Sequence, residues 1–338
     1  MLEGPIHQRP DSFAHVTLIL IGRVDAVTNL SRTSFVQYAL EACQPGPKFS
    51  QLSIHTATKE EEVGDVIAKA DILLAIRISD ELLKKAVRLQ WIQSMITGVD
   101  YILNLPSLRK EVLITSTRGI HGPQMSELAI LQMLALSRKF PTIIRNQDRH
   151  IWDSRPVPLL YQKKVGILGV GVIGKEIARK CKAFEMTVYG ITHRKRKIDW
   201  VDYSYGPQEL IQVLREVDYF INVVPFTPET RNMIGAEEFA AMKPGAFFIN
   251  IGRGETVNEE ALIQALKTER IAGAALDVFC QEPLPEDHPF WEMKNVIITP
   301  HVGGKSNIYA DQALPIFEEN LRRYLQGERR DLINFIKR

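Results

Sequence analysis

Short apolar runs alternate with helical patterns along the first third of the chain. The runs have the length of single strands, and the segments between them carry apolar residues at helical spacing. The predicted strands are Val16–Ile21, Ile72–Ile76, Trp91–Met95 and Val112–Thr115, and the predicted helices are Arg32–Ala42, Lys59–Lys69 and Asp80–Arg88. This alternation indicates a mainly parallel sheet covered by helices on both faces.

A long helical pattern, Met125–Arg138, follows the first set of strands. Gly122-Pro123 precedes it and Pro141 follows it, and such residues are typical of helix boundaries. The next stretch, Ile143–Gln162, is polar and contains prolines, so we predict an irregular surface segment there.

The alternation of strands and helices then begins again. The predicted strands are Lys164–Leu168, Thr187–Ile191, Tyr219–Val224, Ala246–Ile251, Ala272–Leu276 and Val296–Thr299, and the predicted helices are Ile173–Phe184, Glu209–Val217, Ala236–Met242, Glu259–Thr268 and the terminal Ile308–Gly327. The pattern predicts an α/β protein with two doubly wound parallel sheets. We expect residues 1–122 together with 305–338 to form one domain, and residues 123–304 to form the other.

Composition narrows the class of protein. The chain has 338 residues, of which 45% are hydrophobic and 24% charged, and at about 150 residues per domain this length suits two domains. The net charge of +2 does not indicate binding to nucleic acid or to an anionic membrane surface. Cys43, Cys181 and Cys280 lack paired spacing, and no apolar signal segment opens the chain. We therefore expect reduced thiols, no metal site and a cytoplasmic location.

Three glycines follow the predicted strand Lys164–Leu168 and open the next helix. Gly169, Gly171 and Gly174 form the pattern GxGxxG inside a strand–helix–strand unit. The first glycine permits the tight turn, the second lets backbone approach a pyrophosphate, and the third lets helix and strand pack closely. The helix N-terminus then faces the phosphate charge. This context predicts a dinucleotide site.

The end of the following strand indicates which dinucleotide is bound. NAD sites usually place a carboxylate there to hydrogen-bond the ribose 2′-OH. Here Thr192 occupies that position, the basic run His193–Lys197 follows, and Asp199 comes several residues late. A hydroxyl followed by cations suits a 2′-phosphate. We therefore predict that NADP is preferred to NAD; the alternative is that the run is a solvated basic loop.

Charged residues follow three later predicted strands. Arg253 lies between two glycines, Asp277 and Glu282 follow the next strand, and His301 follows another. Because ligands bind beyond the carboxyl ends of strands in open parallel sheets, we expect these groups to share one crevice with the glycine turn. Each residue alone could be structural, but their joint placement favours a functional site.

Together these segments resemble the D-isomer-specific 2-hydroxyacid dehydrogenases, and in particular their glyoxylate/hydroxypyruvate reductase-like members. The matching pieces are Gly98-Val99-Asp100, Ser126-Glu127-Leu128-Ala129, Gly169 to Gly174, Val224-Pro225 with Thr230, Asn250 to Gly254, Leu276-Asp277-Val278-Phe279 with Glu282-Pro283, and Thr299-Pro300-His301. The resemblance implies a flavodoxin-like substrate domain built from both chain ends, a Rossmann dinucleotide-binding domain and a homodimer. The dimer interface would include the Met125–Arg138 helix and the crossing after it.

The resemblance also implies roles for individual residues. Arg253 corresponds to the arginine that holds the substrate carboxylate and keto oxygen, His301 to the acid/base and Glu282 to its carboxylate partner. Backbone of Ile96, Thr97 and Gly98 corresponds to the loop that binds the substrate carboxylate, with Arg253 and His301 completing the substrate site. The implied cofactor-binding residues are Gly169, Gly171, Val172, Ile173, Gly174, Thr192, His193, Arg194, Lys195, Val224, Pro225, Thr230, Ile251, Gly252, Asp277 (near the nicotinamide amide), His301 and Gly303.

These residue types suit hydride transfer. An arginine can bridge a carboxylate and a carbonyl oxygen in one plane, and a histidine can deliver a proton near neutral pH. The leading hypothesis is therefore an NADP-preferring reductase of small 2-ketoacids. One alternative is an NAD-linked D-3-phosphoglycerate dehydrogenase, which needs extra cations for the substrate phosphate. The other is a dinucleotide-sensing binding protein that resembles the C-terminal-binding-protein corepressors, which share this fold and triad.

Overall fold

The computed structural model describes residues 16–21, 52–57 and 59–338. The strands are β1 Val16–Ile21, β2 Leu52–Ala57, β3 Ile72–Ala75, β4 Trp91–Ser94, β5 Leu113–Thr115, β6 Lys164–Leu168, β7 Thr187–Ile191, β8 Tyr203–Tyr205, β9 Tyr219–Asn222, β10 Phe247–Asn250, β11 Gly273–Leu276 and β12 Val296–Ile298. The α-helices are α1 Asp80–Lys85, α2 Asp100–Leu103, α3 Gly122–Ser137, α4 Phe140–Asp148, α5 Val172–Ala183, α6 Leu210–Leu214, α7 Ala236–Ala241, α8 Glu259–Lys267 and α9 Tyr309–Leu325.

The chain divides into two compact units. The first comprises Met1–Ile120 and Ser306–Arg338, and the second comprises His121–Lys305. In the first unit the strands form a parallel sheet in the order β2-β1-β3-β4-β5. This is the flavodoxin-like order. Helix α9 packs on this sheet, where Trp91 stacks on Phe317 and Tyr324 with ring centroids 5.8 and 5.2 Å apart.

The second unit contains a seven-stranded sheet in the order β12-β11-β10-β9-β6-β7-β8, and its strands are also parallel. The chain reverses its direction of travel across the sheet at β6, which pairs with both β7 and β9. Successive residues of β9 and β10, such as Phe220 and Ile221, enter different apolar clusters because they point to opposite faces. Both sheets confirm the predicted fold class, and the topology identifies the carboxyl end of β6 as the switch point where ligands bind.

Several segments have a secondary structure different from the one predicted. Residues 143–162 are not wholly irregular, because α4 extends to Asp148. Pro141 does not end a helix; it lies in the first turn of α4, where proline is tolerated since its missing N–H would be unpaired there. Lys59–Lys69 forms two short 3-10 helices rather than an α-helix. Neither β2 nor β8 is among the predicted strands, and the predicted helix Arg32–Ala42 lies outside the described residues.

The described part of the chain holds no group of three His, Cys, Asp or Glu side chains that could bind a metal ion. Its cysteines are unpaired: Cys181 is buried and Cys280 is exposed, while Cys43 lies outside the described residues. Within the same ranges, none of the helices has the length and apolarity required to traverse a lipid bilayer. The cytoplasmic location stays a prediction.

Candidate active site

The glycine turn joins β6 to α5. Gly169 has a φ of +99°, a conformation open to glycine but strained for other residues. A side-chain carbon at Gly174 would lie 2.3 Å from the carbonyl oxygen of Gly169, so the third glycine is required by close packing. A side-chain carbon at Gly171 would meet no atom within 4 Å. The turn thus presents open backbone at a helix N-terminus, which fits a dinucleotide pyrophosphate.

Val172 and Ile173 form the first turn of α5, and Val172 is exposed. On the other side of the turn lies the segment after β9. A side-chain carbon at Gly169 would lie 2.9 Å from the Val224 side chain. A side-chain carbon at Gly252 would lie 2.7 Å from the Val224 carbonyl oxygen. These glycines therefore let three strand ends converge at the switch point.

The segment after β9 is held by its own hydrogen bonds. Thr230 donates through its hydroxyl to the Pro225 carbonyl at 2.9 Å, and its Oγ1 accepts from the Thr227 N–H at 2.7 Å. Ile251, which is buried, donates its N–H to the Asn222 carbonyl at 3.1 Å. Val224, Pro225 and Thr230 thus follow β9, Ile251 and Gly252 follow β10, and Val224 lies close to Gly169 of the glycine turn.

The basic loop follows β7. The hydroxyl of Thr192 donates to the Arg194 carbonyl at 2.8 Å, which closes the loop on itself. The side chains of His193–Lys197 are exposed. Lys195 pairs with Glu209 at 3.3 Å, whereas Arg194 forms no ion pair with any described residue. Arg194 is therefore one of the exposed cations of this loop that are able to meet an added anion.

Asp199 does not replace the carboxylate expected in an NAD site. It is exposed and pairs with Lys175 of α5 at 2.7 Å. The hydrogen bond from the ammonium of Lys175 is the main reason that the pKa of Asp199 lies below its usual range. The carboxylate is therefore held towards α5 rather than at the end of β7.

Arg253 follows β10 in an extended conformation between two close-packed glycines. A side-chain carbon at Gly254 would lie 2.0 Å from the Phe279 carbonyl carbon, so the Arg253 turn is pressed against the segment after β11. The Arg253 carbonyl accepts hydrogen bonds from Asn250 and Thr256 at 3.1 and 2.6 Å. Its guanidinium Nη1 donates to the Gly252 carbonyl at 2.8 Å. The backbone of the arginine is thus fixed while its side chain stays half-buried.

His301 and Glu282 form a hydrogen-bonded dyad. His301 Nδ1 lies 2.7 Å from Glu282 Oε2, and Glu282 Oε1 accepts the Phe279 N–H at 3.0 Å. Partial burial raises the pKa of Glu282, but the hydrogen bonds from His301 and Phe279 and the positive charge of Arg253 outweigh this effect. Its pKa therefore lies below the usual range, and the carboxylate is ionised at neutral pH.

The His301 backbone has a φ of +50°, which is uncommon for a residue other than glycine and often marks a functional turn. Its side chain is 45% exposed, so the imidazole is accessible while Nδ1 faces Glu282. Asp277 lies beneath this turn and is buried. It accepts hydrogen bonds from the Thr299 hydroxyl and from the Val302 and Gly303 N–H groups at 2.6, 3.0 and 2.9 Å. In this structure, Asp277 fixes the turn that carries the imidazole.

A second histidine, His121, is buried in the same unit, next to Gly304. Burial and the positive charge of Arg253 lower its pKa to about 4, so the imidazole is neutral at neutral pH. His121 is not among the predicted site residues, although its position beside the expected domain boundary at residue 122 is a signal that it could line a cleft. The structure brings it into the electrostatic environment of Arg253.

The predicted substrate loop belongs to the first unit. Ile96, Thr97 and Gly98 follow β4 and precede α2. The Ile96 N–H and carbonyl contact the Ser94 hydroxyl at 3.3 and 3.2 Å, and Tyr309 of α9 donates to the Met95 carbonyl. The loop is therefore anchored at its start by side chains of the same unit.

Sequence comparison matches residues 130–303 to the family described as D-isomer specific 2-hydroxyacid dehydrogenase, NAD binding domain. A glyoxylate/hydroxypyruvate reductase A from Serratia proteamaculans is 36% identical over 247 residues, which are 69% of this chain and 76% of that protein. A D-3-phosphoglycerate dehydrogenase from Methanocaldococcus jannaschii is 32% identical over 82% of this chain. The chain spans 54% of that relative, about half its length.

Two solved structures share the fold over nearly their whole length. A D-isomer specific 2-hydroxyacid dehydrogenase family protein from Aeromonas salmonicida has 34% identity and a TM-score of 0.84, covering 96% of this chain and 99% of that chain. An NADPH-dependent glyoxylate/hydroxypyruvate reductase from Sinorhizobium meliloti, in complex with NADP and sulfate, has 27% identity and a TM-score of 0.79. The match covers 95% of this chain and 98% of that one.

Proposed function

Because the chain belongs to the D-isomer-specific 2-hydroxyacid dehydrogenase family, we propose that it reduces small 2-ketoacids of the glyoxylate/hydroxypyruvate type with NADPH as preferred hydride donor. Membership of this family confirms the resemblance that was predicted from the sequence and the NAD(P)-linked oxidoreductase class that it implied. The observation that carries the proposal is the His301–Glu282 hydrogen bond of 2.7 Å in the unit that also holds the glycine turn and Arg253.

The proposed mechanism assigns one task to each group. The nicotinamide, when bound, supplies the hydride. The Arg253 guanidinium holds the ketoacid carboxylate and polarises the keto oxygen, because its planar fork can contact both in one plane. His301 donates a proton to the alkoxide oxygen that forms. Glu282, ionised because its pKa is lowered, stabilises the imidazolium from the Nδ1 side.

The remaining assignments follow from the same proposal. The first unit is the substrate domain and the second is the dinucleotide domain. Backbone of Ile96, Thr97 and Gly98 binds the substrate carboxylate. The glycine turn with Val172 and Ile173 binds the pyrophosphate, and Thr192, His193, Arg194 and Lys195 bind the adenosine ribose and its 2′-phosphate. The groups near the nicotinamide are Val224, Pro225, Thr230, Ile251, Gly252, Asp277, His301 and Gly303.

A substrate panel tests the proposed reaction. The purified protein is assayed for loss of NADPH and NADH absorbance with glyoxylate, hydroxypyruvate, phenylpyruvate and 3-phosphohydroxypyruvate. We expect the largest specificity constant with glyoxylate or hydroxypyruvate. A preference for 3-phosphohydroxypyruvate with NADH would instead support the phosphoglycerate dehydrogenase alternative. Tight dinucleotide binding with no turnover of any ketoacid would support the corepressor-like alternative.

The first prediction concerns cofactor choice. A charge-assisted contact to a phosphate is worth about 1.5–3 kcal/mol, so one or two contacts give roughly 10- to 100-fold or more preference for NADPH. Arg194→Ala should remove most of this preference while leaving kcat/KM for NADH nearly unchanged. Thr192→Asp should favour NADH, because the carboxylate hydrogen-bonds a ribose 2′-OH and repels a 2′-phosphate.

Lys197→Ala is the matched control for Arg194, because it removes an exposed cation of the same loop that is not assigned to the phosphate. The ratio of specificity constants is measured at one fixed, moderate salt concentration, since phosphate contacts are screened by salt. A ratio that favours NADH in the unmodified protein would show that the basic run is a solvated loop.

The second prediction concerns assembly. Helix α4 and the segment after it expose Phe140, Ile143, Ile144, Ile151 and Trp152, the last with 95% of its surface accessible. Several exposed apolar side chains within one short segment are typical of protein interfaces, and two-fold pairing is the commonest closed form. We propose a homodimer through this surface and α3, with a dimer mass at micromolar concentration by light scattering.

Ile143→Glu and Ile144→Glu together should shift that mass to the monomer, because they place charges on the apolar surface. Val87→Glu is the control, since Val87 is an exposed apolar residue outside this surface. A monomeric mass for the unmodified protein, or dissociation by the Val87 variant alone, would contradict the assignment.

A further inference from the structure

The segment that carries Glu282 is held from outside the dyad by a residue of α8. Glu259 is the first residue of that helix, and its Oε2 accepts the Cys280 N–H at 3.5 Å. The preceding N–H, that of Phe279, donates to Glu282 Oε1 at 3.0 Å. Two consecutive backbone N–H groups therefore bind two different carboxylates, one outside the dyad and one within it.

Glu259 is itself oriented by His288. His288 Nε2 lies 3.1 Å from Glu259 Oε1, and only 14% and 26% of the two side chains are exposed. His288 Nδ1 accepts the Phe290 N–H at 3.3 Å, so the proton of the neutral imidazole is on Nε2 and is donated to Glu259. One carboxylate oxygen thus faces His288 and the other faces the Cys280 N–H.

Helix capping does not account for this arrangement. Asn258 already caps α8, because its Oδ1 accepts the Ala261 N–H at 3.0 Å. Glu260 provides a second negative charge in the same first turn, where it complements the helix dipole. Glu259 is therefore turned away from the usual capping role and towards the segment after β11.

We propose that Glu259 and His288 are positioning residues for the proton-donating dyad, acting through the Cys280 N–H to hold the 279–282 segment so that Glu282 meets His301 Nδ1. The inference rests on the proposed reductase function. Neither Glu259 nor His288 is among the residues assigned to the substrate or the cofactor. A small displacement of a catalytic group is costly, and one of about 1 Å can lower the rate a hundredfold.

The kinetic test compares variants of α8. Glu259→Ala should lower kcat for ketoacid reduction about tenfold with the KM for NADPH within about twofold. Glu259→Gln keeps one acceptor oxygen and nearly the same volume, so it should lose less and should fold even where the alanine variant does not. Glu260→Gln is the matched control, because it removes an exposed charge from the same helical turn and should leave kcat unchanged.

A double-variant cycle tests whether the two residues act as a unit. His288→Ala should lower kcat as much as Glu259→Ala, and the double variant should lower it no further, since residues in one network are not additive. Independent, multiplicative losses would overturn the proposal. Equal kcat values for Glu259→Gln, Glu260→Gln and the unmodified protein would also overturn it.

A second readout does not require turnover. Diethyl pyrocarbonate modifies uncharged imidazole, so the rate of His301 carbethoxylation against pH, followed by mass spectrometry, reports how well Glu282 stabilises the imidazolium. The midpoint should move to lower pH in Glu259→Gln and not in Glu260→Gln. An unmoved midpoint would overturn the positioning role. An inactive unmodified protein with a moved midpoint would overturn the proposed reaction and leave the positioning role standing.

Discussion

Replacing His301 with alanine is expected to lower kcat for ketoacid reduction at least about a hundredfold, because general acid catalysis usually contributes that much or more. The imidazole is accessible, and its Nδ1 is fixed by Glu282 at 2.7 Å, which leaves Nε2 as the atom that can donate a proton. The measurement is steady-state turnover with saturating ketoacid and NADPH. Dinucleotide affinity, measured by fluorescence quenching, should change little.

The control for this variant is His55→Ala, which removes an exposed histidine of β2 that is assigned to no site. Near-normal turnover of His301→Ala would show that another group donates the proton. Glu282→Gln should keep the fold but move the pH profile of reduction to lower pH, because an imidazolium without its carboxylate partner loses its proton more readily. An identical profile would show that the two groups are not coupled.

Replacing Arg253 with alanine is expected to raise the KM for the ketoacid and lower kcat together, with a combined loss in kcat/KM of a hundredfold or more. The physical reason is that one guanidinium both binds the carboxylate and polarises the carbonyl, and removing a preorganised donor of this kind costs about 10²–10³ in kcat. The affinity for NADPH should be nearly unchanged, since the glycine turn and the basic loop remain.

Arg253→Lys should recover little of this loss, because an ammonium is a point charge and cannot reproduce the planar fork. Arg215→Ala is the control, since Arg215 is an exposed arginine of the same unit at the end of α6. Loss of dinucleotide binding with intact ketoacid kinetics would move Arg253 from the substrate site to the cofactor site.

Local patterns in the sequence were enough to predict most of the second unit. GxGxxG encodes its own turn, because Gly169 needs a positive φ and Gly174 lies too close to the Gly169 carbonyl for any side chain. Apolar runs predicted the central strands because strands buried on both faces need continuous hydrophobic sequence. Short edge strands such as β8 were not predicted, since they pair with a neighbour on one side only and their apolar signal is weak.

Two prolines of the described helices show that the effect of proline depends on its position. Pro141 was interpreted as a signal that a helix ends, yet it lies in the first turn of α4. Proline is tolerated in the first turn of a helix and disrupts the interior of one, so its effect depends on its position. Pro315 lies inside α9, where packing of the helix on the first sheet compensates for the lost hydrogen bond. Burial of Phe317 and Tyr324 thus outweighs local propensity.

The sequence by itself determined the fold class, the glycine turn and the charged residues at the strand ends, because each of these is encoded in a short contiguous pattern. Only the tertiary structure decided which side chains meet. Parallel strands and crossover helices bring Glu282 to His301, Asp277 to the turn of Gly303, and Glu259 to His288. Hydrogen-bond partners of this kind are set by sheet order and loop geometry, which leave no periodic signal in the chain.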